Sequence, residues 1–298
     1  MAGKRDAIVA VIIILTFFFV GGFFILLFLG TWGEDDGISI SGGGSRIAVV
    51  EVFGTISEAE PIVKQLKKWG KSSSVKGIVV HIDSPGGGVA PSQEIYDAIR
   101  KIRDEEEKVV VVSMSSLAAS GGYYIACAAD RIVANPGTLT GSIGVIIQFL
   151  TAEKLLQKIG IGYERVKSGD LKDVGALDRA MTDKEREMLT AVIMDTYEQF
   201  VEVVAEGREL DKDDVYQLAN GAIYTGRQAY GLGLVDTLGT FDDALQIAAD
   251  LAGLKGEPQT IQEPKPKKGL WELLGVGMNE IQQTVQGESG GPRIMYLY

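Results

Sequence analysis

Two short apolar runs, each followed by a glycine-rich turn, limit the folds open to this chain more than any other feature. Residues 77–82 lead into the turn DSPGGG at 83–88, and residues 109–114 lead into SLAASGGYY at 116–124. Helical patterns follow both turns, and near-continuous apolar strands are typical of parallel sheets that are covered on both faces. The sequence therefore predicts an α/β domain with mostly parallel sheets, whose active site collects at the carboxyl ends of the strands.

The rest of the pattern predicts further elements of both kinds. A long helix opens at Thr182, where Glu185 completes a capping box. The other predicted strands lie at 46–53, 131–134, 142–147 and 162–167, and the other predicted helices lie at 57–69, 92–103, 125–129, 151–159 and 211–220, with 241–254 closing the domain.

The N-terminal region carries an uncharged run at residues 7–29, long enough to cross about 30 Å of hydrocarbon as a helix. Lys4 and Arg5 precede this run and acidic residues follow it, so the N-terminus is expected in the cytoplasm and the rest outside. A cleaved signal peptide is the alternative, but its apolar region is usually only roughly 7–15 residues long. We therefore expect an uncleaved anchor that inserts residues 7–29 into the lipid bilayer of the cell membrane as a single pass.

These boundaries divide the chain into four parts. We predict a cytoplasmic stub and anchor at 1–32, a flexible linker rich in glycine, serine and acidic residues at 33–45, a folded domain at 46–256 and a tail at 257–298.

Composition argues against several classes of function. The formal net charge is −11 and no long basic run occurs, so nucleic acid is not expected as a partner. The chain has one cysteine, Cys127, and one histidine, His81, and it lacks the HExxH and paired CxxC motifs of zinc sites. We therefore predict no metal and no cofactor. Cys127 is expected to pack in the core, and His81 is expected to be a partly buried strand residue rather than a catalytic base.

Ser120 is the candidate nucleophile. It lies in a bend between an apolar strand and a small-residue helix, and the N–H of Gly121 points into the same space at the positive end of that helix. Residues 86–88 end the neighbouring strand with three glycines, whose N–H groups can form an oxyanion hole. For Ser120 taken alone, an ordinary serine–glycine turn is the alternative.

A serine without a usable histidine can be activated by a neutral lysine. Such a lysine must have its pKa moved from about 10.4 to roughly 7–8, a shift that burial can supply and that nearby carboxylates oppose. Lys167 and Lys172 are the candidates nearest a predicted strand end, and the residue pattern leaves both open.

Five sequence motifs together resemble one known family. They are IDSPGGGV at 82–89, SLAASGGYYIACAAD at 116–130, TGSIGV at 140–145, SGDLKD at 168–173 and TGRQAYGLGLVD at 225–236. With the N-terminal anchor, this order is similar to that of the signal peptide peptidase A family, peptidase family S49, in its short single-repeat form.

The resemblance implies a ClpP/crotonase-like fold and a Ser-Lys dyad protease. Its motifs match Ser120 to the nucleophile, Lys172 rather than Lys167 to the general base, and Ser142 to the serine that orients the lysine. Gly87 and Gly121 match the oxyanion-hole amides.

The resemblance also implies a setting for the enzyme. Its substrates would be remnant signal peptides and other apolar peptides at the extracytoplasmic face of the membrane. The assembly would be a ring-shaped homo-oligomer, with Ser and Lys supplied by one protomer or by neighbouring ones. A further hypothesis is that residues 295–298 enter an active site as a self-substrate.

Three other functions are weighed against this one. A stomatin-associated membrane protease would share the fold and differ in its substrate. A non-catalytic membrane scaffold would keep the fold without the reaction. Acyl-CoA chemistry rests on analogy of fold alone and would need CoA outside the cell.

Overall fold

The computed structural model describes residues 45–264 and 295–297, together with Gly3. The predicted anchor at 7–29, all but the last residue of the predicted linker at 33–45 and most of the predicted tail lie outside these residues. In the part of the chain that is described, no helix has the length and apolar character needed to cross a membrane.

Strands and helices largely alternate between residues 46 and 134, as the sequence predicts. The strands are β1 (Arg46–Phe53), β2 (Val75–Ser84), β3 (Gly86–Gly88), β4 (Val109–Ala119), β5 (Arg131–Ala134), β6 (Leu139–Gly141), β7 (Ile223–Thr225), β8 (Thr237–Leu238), β9 (Thr260–Gln262) and β10 (Met295–Leu297). The helices are α1 (Glu60–Lys71), α2 (Val89–Glu105), α3 (Gly121–Ala126), α4 (Glu153–Lys158), α5 (Asp183–Arg208), α6 (Lys212–Leu218), α7 (Gly226–Gly231) and α8 (Phe241–Leu251), with one 3₁₀ turn at Asp170–Asp173.

One eight-stranded sheet organises the fold, with strand order β7-β6-β4-β2-β1-β9. β5 pairs with β4 and continues to β8. The pairs within this sheet are parallel except β6 with β7. β2 and β4 lie at its centre, so their carboxyl ends open on the same edge. The two glycine-rich turns follow these two strands, and the sheet therefore brings them together.

The sheet is buried on both faces, which explains why its strands read as unbroken apolar runs. Val80 and Val112 face the larger core, formed with α1, α2, α3 and α5, whereas Val79 and Val111 face a smaller core under α8. Side chains alternate between the faces of a strand, so both sets must be apolar. Burying one valine contributes about 1.5–3 kcal/mol to folding. The predicted mostly parallel α/β architecture is confirmed.

Two predicted strands are wrong. Residues 162–167 form no strand and are exposed, and the strand predicted at 142–147 is instead the short β6, which ends before it. Both stretches have strand-like composition, but composition cannot show whether a partner strand lies alongside. Residues 86–88 show the opposite error, because they are predicted as a loop and form the short strand β3.

Candidate active site

Ser120 lies in the single-residue bend between β4 and α3. Its backbone angles are φ 54° and ψ −115°, a conformation that non-glycine residues rarely adopt. Two hydrogen bonds hold the bend: the Ser120 N–H donates to the carbonyl of Gly141 (2.8 Å), and the Tyr124 N–H donates to the carbonyl of Ser120 (2.8 Å). The predicted sharp turn between strand and helix is therefore present, and it is held by β6 as well as by α3.

The hydroxyl of Ser120 is buried, and it has no hydrogen-bond partner among the described residues. A buried polar group without a partner costs about 1–3 kcal/mol, so native proteins keep few of them. A buried, unpartnered hydroxyl on a strained bend is typical of a functional group rather than of a packing residue.

The backbone of β3 lies directly beside this bend. The Ile56 N–H donates to the carbonyl of Gly86 (2.8 Å), and the Gly88 N–H donates to the carbonyl of Ile56 (2.8 Å). Successive peptide groups of a strand point to opposite edges, so the Gly87 N–H faces away from Ile56. A Cβ atom on Gly121 would come within 3.2 Å of the Gly87 nitrogen. The two predicted oxyanion-hole glycines are thus neighbours, next to Ser120.

A short segment of the tail occupies the free edge of β3. β10 pairs with it in antiparallel register, with Met295 opposite Gly88, Tyr296 opposite Gly87 and Leu297 opposite Gly86. On its other side, the Met295 and Ile146 backbones exchange two hydrogen bonds of 3.3 and 3.2 Å.

The tail segment is therefore an extended peptide held between two backbone edges, with α3 alongside. This is the geometry of peptide recognition by strand addition, in which main-chain hydrogen bonds hold the bound chain.

Ser142 also lies close to Ser120. It directly follows Gly141, whose carbonyl accepts the Ser120 N–H, and its own N–H donates to the carbonyl of Ala222 (2.7 Å). Ser142 has a φ of 51° and is buried. Ser142 thus adjoins the residue that holds the Ser120 bend, and its role in orienting a lysine stays a prediction.

The two candidate lysines have different surroundings. The Lys167 Nζ donates to the Asp173 Oδ1 (2.6 Å) and to the carbonyl of Asp170 (3.2 Å), so its charge is engaged in an ion pair. Lys172 lies on the exposed 3₁₀ turn, and its amine makes no hydrogen bond or ion pair with the described part of the chain. The structure does not bring Lys172 into hydrogen-bond contact with Ser120 of the same chain.

The remaining sequence candidates are core residues. His81 packs between the rings of Phe53 and Phe241, with centroid distances of 5.4 and 4.6 Å, and burial lowers the pKa of its imidazole. Cys127 is buried, and burial raises the pKa of its thiol to about 12, so it is not a nucleophile. Both expectations for these residues are confirmed.

Two contributors to the site escape the sequence analysis. The Asp83 Oδ1 accepts the N–H of Leu117 (3.1 Å) and so ties the first glycine turn to the end of β4. Its position in the DSPGGG motif could have identified Asp83 from the sequence. Ile146 forms the outer edge of the peptide groove through a single bridge, and no local pattern marks it.

A buried serine between strand and helix, flanked by two glycine amides at the edge of a parallel sheet, defines a serine hydrolase. The family model of Clp protease matches residues 42–138, in agreement with a ClpP-like α/β fold. The model of peptidase family S49 matches residues 102–255.

Three known proteins are similar to this chain. A Synechocystis sp. protein named "Putative protease slr0021" is 46% identical over 80% of this chain and 85% of its own length. An Enterococcus faecium protein named "Putative signal peptide peptidase SppA" is 42% identical over 61% of this chain and 52% of its own length. A solved ClpP1 mutant from Listeria monocytogenes is 20% identical, with a TM-score of 0.46, over 66% of this chain and 94% of that one. The chain belongs to peptidase family S49, in its signal peptide peptidase A type, and is a serine protease.

Proposed function

We propose that this serine protease is a membrane-anchored endopeptidase that degrades remnant signal peptides and similar apolar peptides with a Ser120–Lys172 dyad. The observation that carries the proposal is the strand β10, an extended peptide paired with β3 beside the buried Ser120 hydroxyl. A substrate in the same position would present its backbone to the Gly87 and Gly121 amides. The name of the Enterococcus relative supports signal peptides as the substrate class.

The surroundings of the groove support apolar substrates. A pocket opens next to Ile146, at the outer edge of the groove, and apolar side chains form much of its wall. Its lining includes Ser142, Val145, Ile146, Ile193, Met194 and Tyr197. Substrate side chains that leave the groove on this side would meet an apolar wall, which favours peptides released from membrane-inserted segments.

In the proposed mechanism, the neutral Lys172 amine accepts the Ser120 proton as the serine oxygen attacks the peptide carbonyl. The N–H groups of Gly87 and Gly121 stabilise the oxyanion, and one such donor is typically worth about 2.7–4 kcal/mol. The protonated Lys172 then donates its proton to the leaving amine, with Ser142 orienting the lysine. Water hydrolyses the acyl-enzyme and regenerates Ser120.

We further propose that the two dyad residues come from neighbouring copies in a homo-oligomer. Residues 147–169, called the arm below, precede Lys172 and expose several large apolar side chains, among them Leu150, Leu155 and a fully exposed Val166. Apolar surface of this extent usually marks an interface, and a second copy packed there would cover it. Within one chain the Lys172 amine and the Ser120 hydroxyl each remain without a partner among the described residues.

The proposed location follows from the sequence of the N-terminal region. Residues 7–29 would anchor the chain in the membrane, and the positive residues before them would keep the N-terminus in the cytoplasm. The catalytic domain would then act at the extracytoplasmic face, where remnant signal peptides leave the bilayer.

The test is cleavage of a synthetic signal peptide by the full-length protein in detergent, followed by mass spectrometry. Ser120→Ala and Lys172→Ala are each expected to lower turnover by at least about 10³-fold, because each removes one half of the dyad. Lys101→Ala is the matched control, since it removes an exposed lysine of α2, outside the arm. Undiminished turnover in either dyad variant would disprove the mechanism. Wild-type protein that cuts a stomatin-like protein but no signal peptide would favour the stomatin-associated alternative.

A further inference from the structure

A cluster of charged residues surrounds the turn that carries Lys172. The next residue, Asp173, accepts a hydrogen bond from the Arg179 Nε (3.1 Å) on its Oδ2. Its Oδ1 lies 2.9 Å from the Arg179 Nη2 and 2.6 Å from the Lys167 Nζ. These hydrogen bonds, first from Arg179 and then from Lys167, hold the pKa of the Asp173 carboxyl well below its usual range. The residue beside Lys172 therefore presents no free carboxylate to compete for its amine.

Arg179 holds the main chain of the turn as well as a side chain. Its Nη2 also donates to the backbone carbonyl of Asp173 (3.2 Å). A guanidinium is planar and carries several donors in fixed directions, so one arginine can fix both groups at once. The turn needs such support, because its own hydrogen bonds, from the N–H of Lys172 to Gly169 and from the N–H of Val174 to Leu171, are long at 3.2 and 3.3 Å.

Glu185 fixes Arg179 in turn. Its Oε2 accepts from the Arg179 Nη1 (2.9 Å), its Oε1 accepts from the Arg179 Nη2, and its side chain is 1% exposed. Glu185 also accepts the Thr182 N–H (2.8 Å) in the capping box that opens α5. Hydrogen bonds from Arg179 and then from the Thr182 N–H lower the pKa of Glu185 to about 2. The carboxyls of Asp173 and Glu185 are therefore both ionised at neutral pH.

We propose that Arg179 is a positioning residue for the catalytic lysine: it connects Glu185, at the start of the 26-residue helix α5, to Asp173 and thereby fixes the turn that presents Lys172. The inference rests on the proposed role of Lys172 as general base. Within the described part of the chain, the hydrogen bonds of Arg179 go to Asp173, Ala180 and Glu185 and not to Ser120 or the groove, so it acts through the turn.

The test compares steady-state kinetics of Arg179→Gln with wild type, per assembled protomer, on a fluorogenic apolar peptide. The kcat is expected to fall about 10²-fold, the usual cost of misplacing a catalytic group by about 1 Å. KM should change less than about twofold, because β3 and Ile146 remain intact. Arg179→Lys keeps the positive charge but loses the planar guanidinium with its several donors, and it should give an intermediate kcat. Glu185→Gln combined with Arg179→Gln should cost little more than Arg179→Gln alone, since both break one connection.

Arg165→Gln is the matched control. It removes a nearby arginine, whose guanidinium pairs with Asp178 and approaches Asp173 only to 3.8 Å, and it should keep kcat within about threefold of wild type. Thermal unfolding and the mass of the assembly are measured for every variant.

Three results would overturn the proposal. They are a wild-type kcat in Arg179→Gln, an equal loss in Arg165→Gln, and a loss accounted for entirely by unfolded or dissociated protein. The Lys172→Ala variant separates this failure from failure of the proposed function. If Lys172→Ala is inactive and Arg179→Gln is fully active, only the positioning role is wrong. If Lys172→Ala is active, the dyad itself is wrong.

Discussion

Ser120, the proposed nucleophile, shows how neighbouring elements can hold a single residue in a strained backbone conformation. A non-glycine residue in so sparsely populated a backbone conformation costs about 1–3 kcal/mol, which the surrounding structure must offset. Here the offset comes from β6 through Gly141, from α3 through Tyr124 and from the central position of β4. The bend keeps the hydroxyl at one place, beside the amides of Gly87 and Gly121.

Gly87 provides a direct test at the scale of one residue. A Cβ atom at this position would lie 2.1 Å from the carbonyl oxygen of Ile56, so the backbone of β3 must shift to accept it. We expect Gly87→Ala to lower kcat by about 10²–10³-fold through loss of an oxyanion donor, measured on the same peptide. Gly137→Ala is the control, because nothing lies within 4 Å of its Cβ position, and it should behave as wild type. Equal activity of the two variants would remove Gly87 from the oxyanion hole.

The residues of the site differ in how far sequence predicts them. Ser120, Gly121 and the run 86–88 follow apolar strands in short glycine-rich turns, so local pattern is enough to propose them, whereas the choice of Gly87 within the run came from the family resemblance. Chain chemistry alone left Lys167 and Lys172 open. The structure separates their surroundings, since Asp173 engages Lys167 and leaves the amine of Lys172 without a partner among the described residues. Which lysine forms an ion pair depends on the tertiary fold, and local sequence patterns do not determine it.

At the scale of elements, strand predictions succeeded where the residues of the strand itself carried the pattern, and they failed where a distant partner decided the structure. The central strands were predictable because each is a run buried on both faces, as in β2 and β4. The strand predicted at 142–147 failed because no described strand pairs along it, and its one β-bridge joins Ile146 to Met295, far along the chain. Pairing over such a distance depends on topology and not on the composition of either segment.

The start of helix α5 makes stability depend on acid pH. The folded pKa of Glu185, about 2, lies below its ordinary value of 4.5, so its contribution is present above that ordinary value and is lost as the pH falls through about 2. The melting temperature of wild type should therefore fall between about pH 4.5 and 2 more steeply than that of Glu185→Gln. Glu187→Gln, a neighbour on the same helix, should keep the wild-type profile. Parallel curves for wild type and Glu185→Gln in thermal melts followed by circular dichroism would contradict this account.

At the scale of the whole molecule, the exposed arm and the unpartnered side chains of the site both fit the proposed homo-oligomer. The arm leaves large apolar side chains in solvent, and it leads directly to a lysine whose amine has no partner in the described chain. The Ser120 hydroxyl lies buried elsewhere without a partner among the described residues. An arrangement of several copies would cover the arm and complete the dyad together.

A mixing experiment tests this shared site. Ser120→Ala and Lys172→Ala protomers, each inactive alone, are co-expressed with different tags, and mixed assemblies are isolated through both. If serine and lysine come from different copies, about a quarter of the sites in a random equal mixture regain both side chains. Peptide cleavage should then return to about a quarter of the wild-type rate. A mixture as inactive as its parents, despite co-purification of both tags, would show that each dyad lies within one chain.

The strand β10 has a consequence for the rate at which the enzyme would cleave peptides. The segment that fills the groove is covalently part of the enzyme, so its local concentration is unchanged on dilution, whereas that of a free peptide falls. Incoming peptides therefore meet a resident competitor at every enzyme concentration, and it raises the apparent KM of each peptide by the same factor. Under the proposed function, the cleavage rate then depends on how strongly the tail pairs with β3 as well as on the load of peptides.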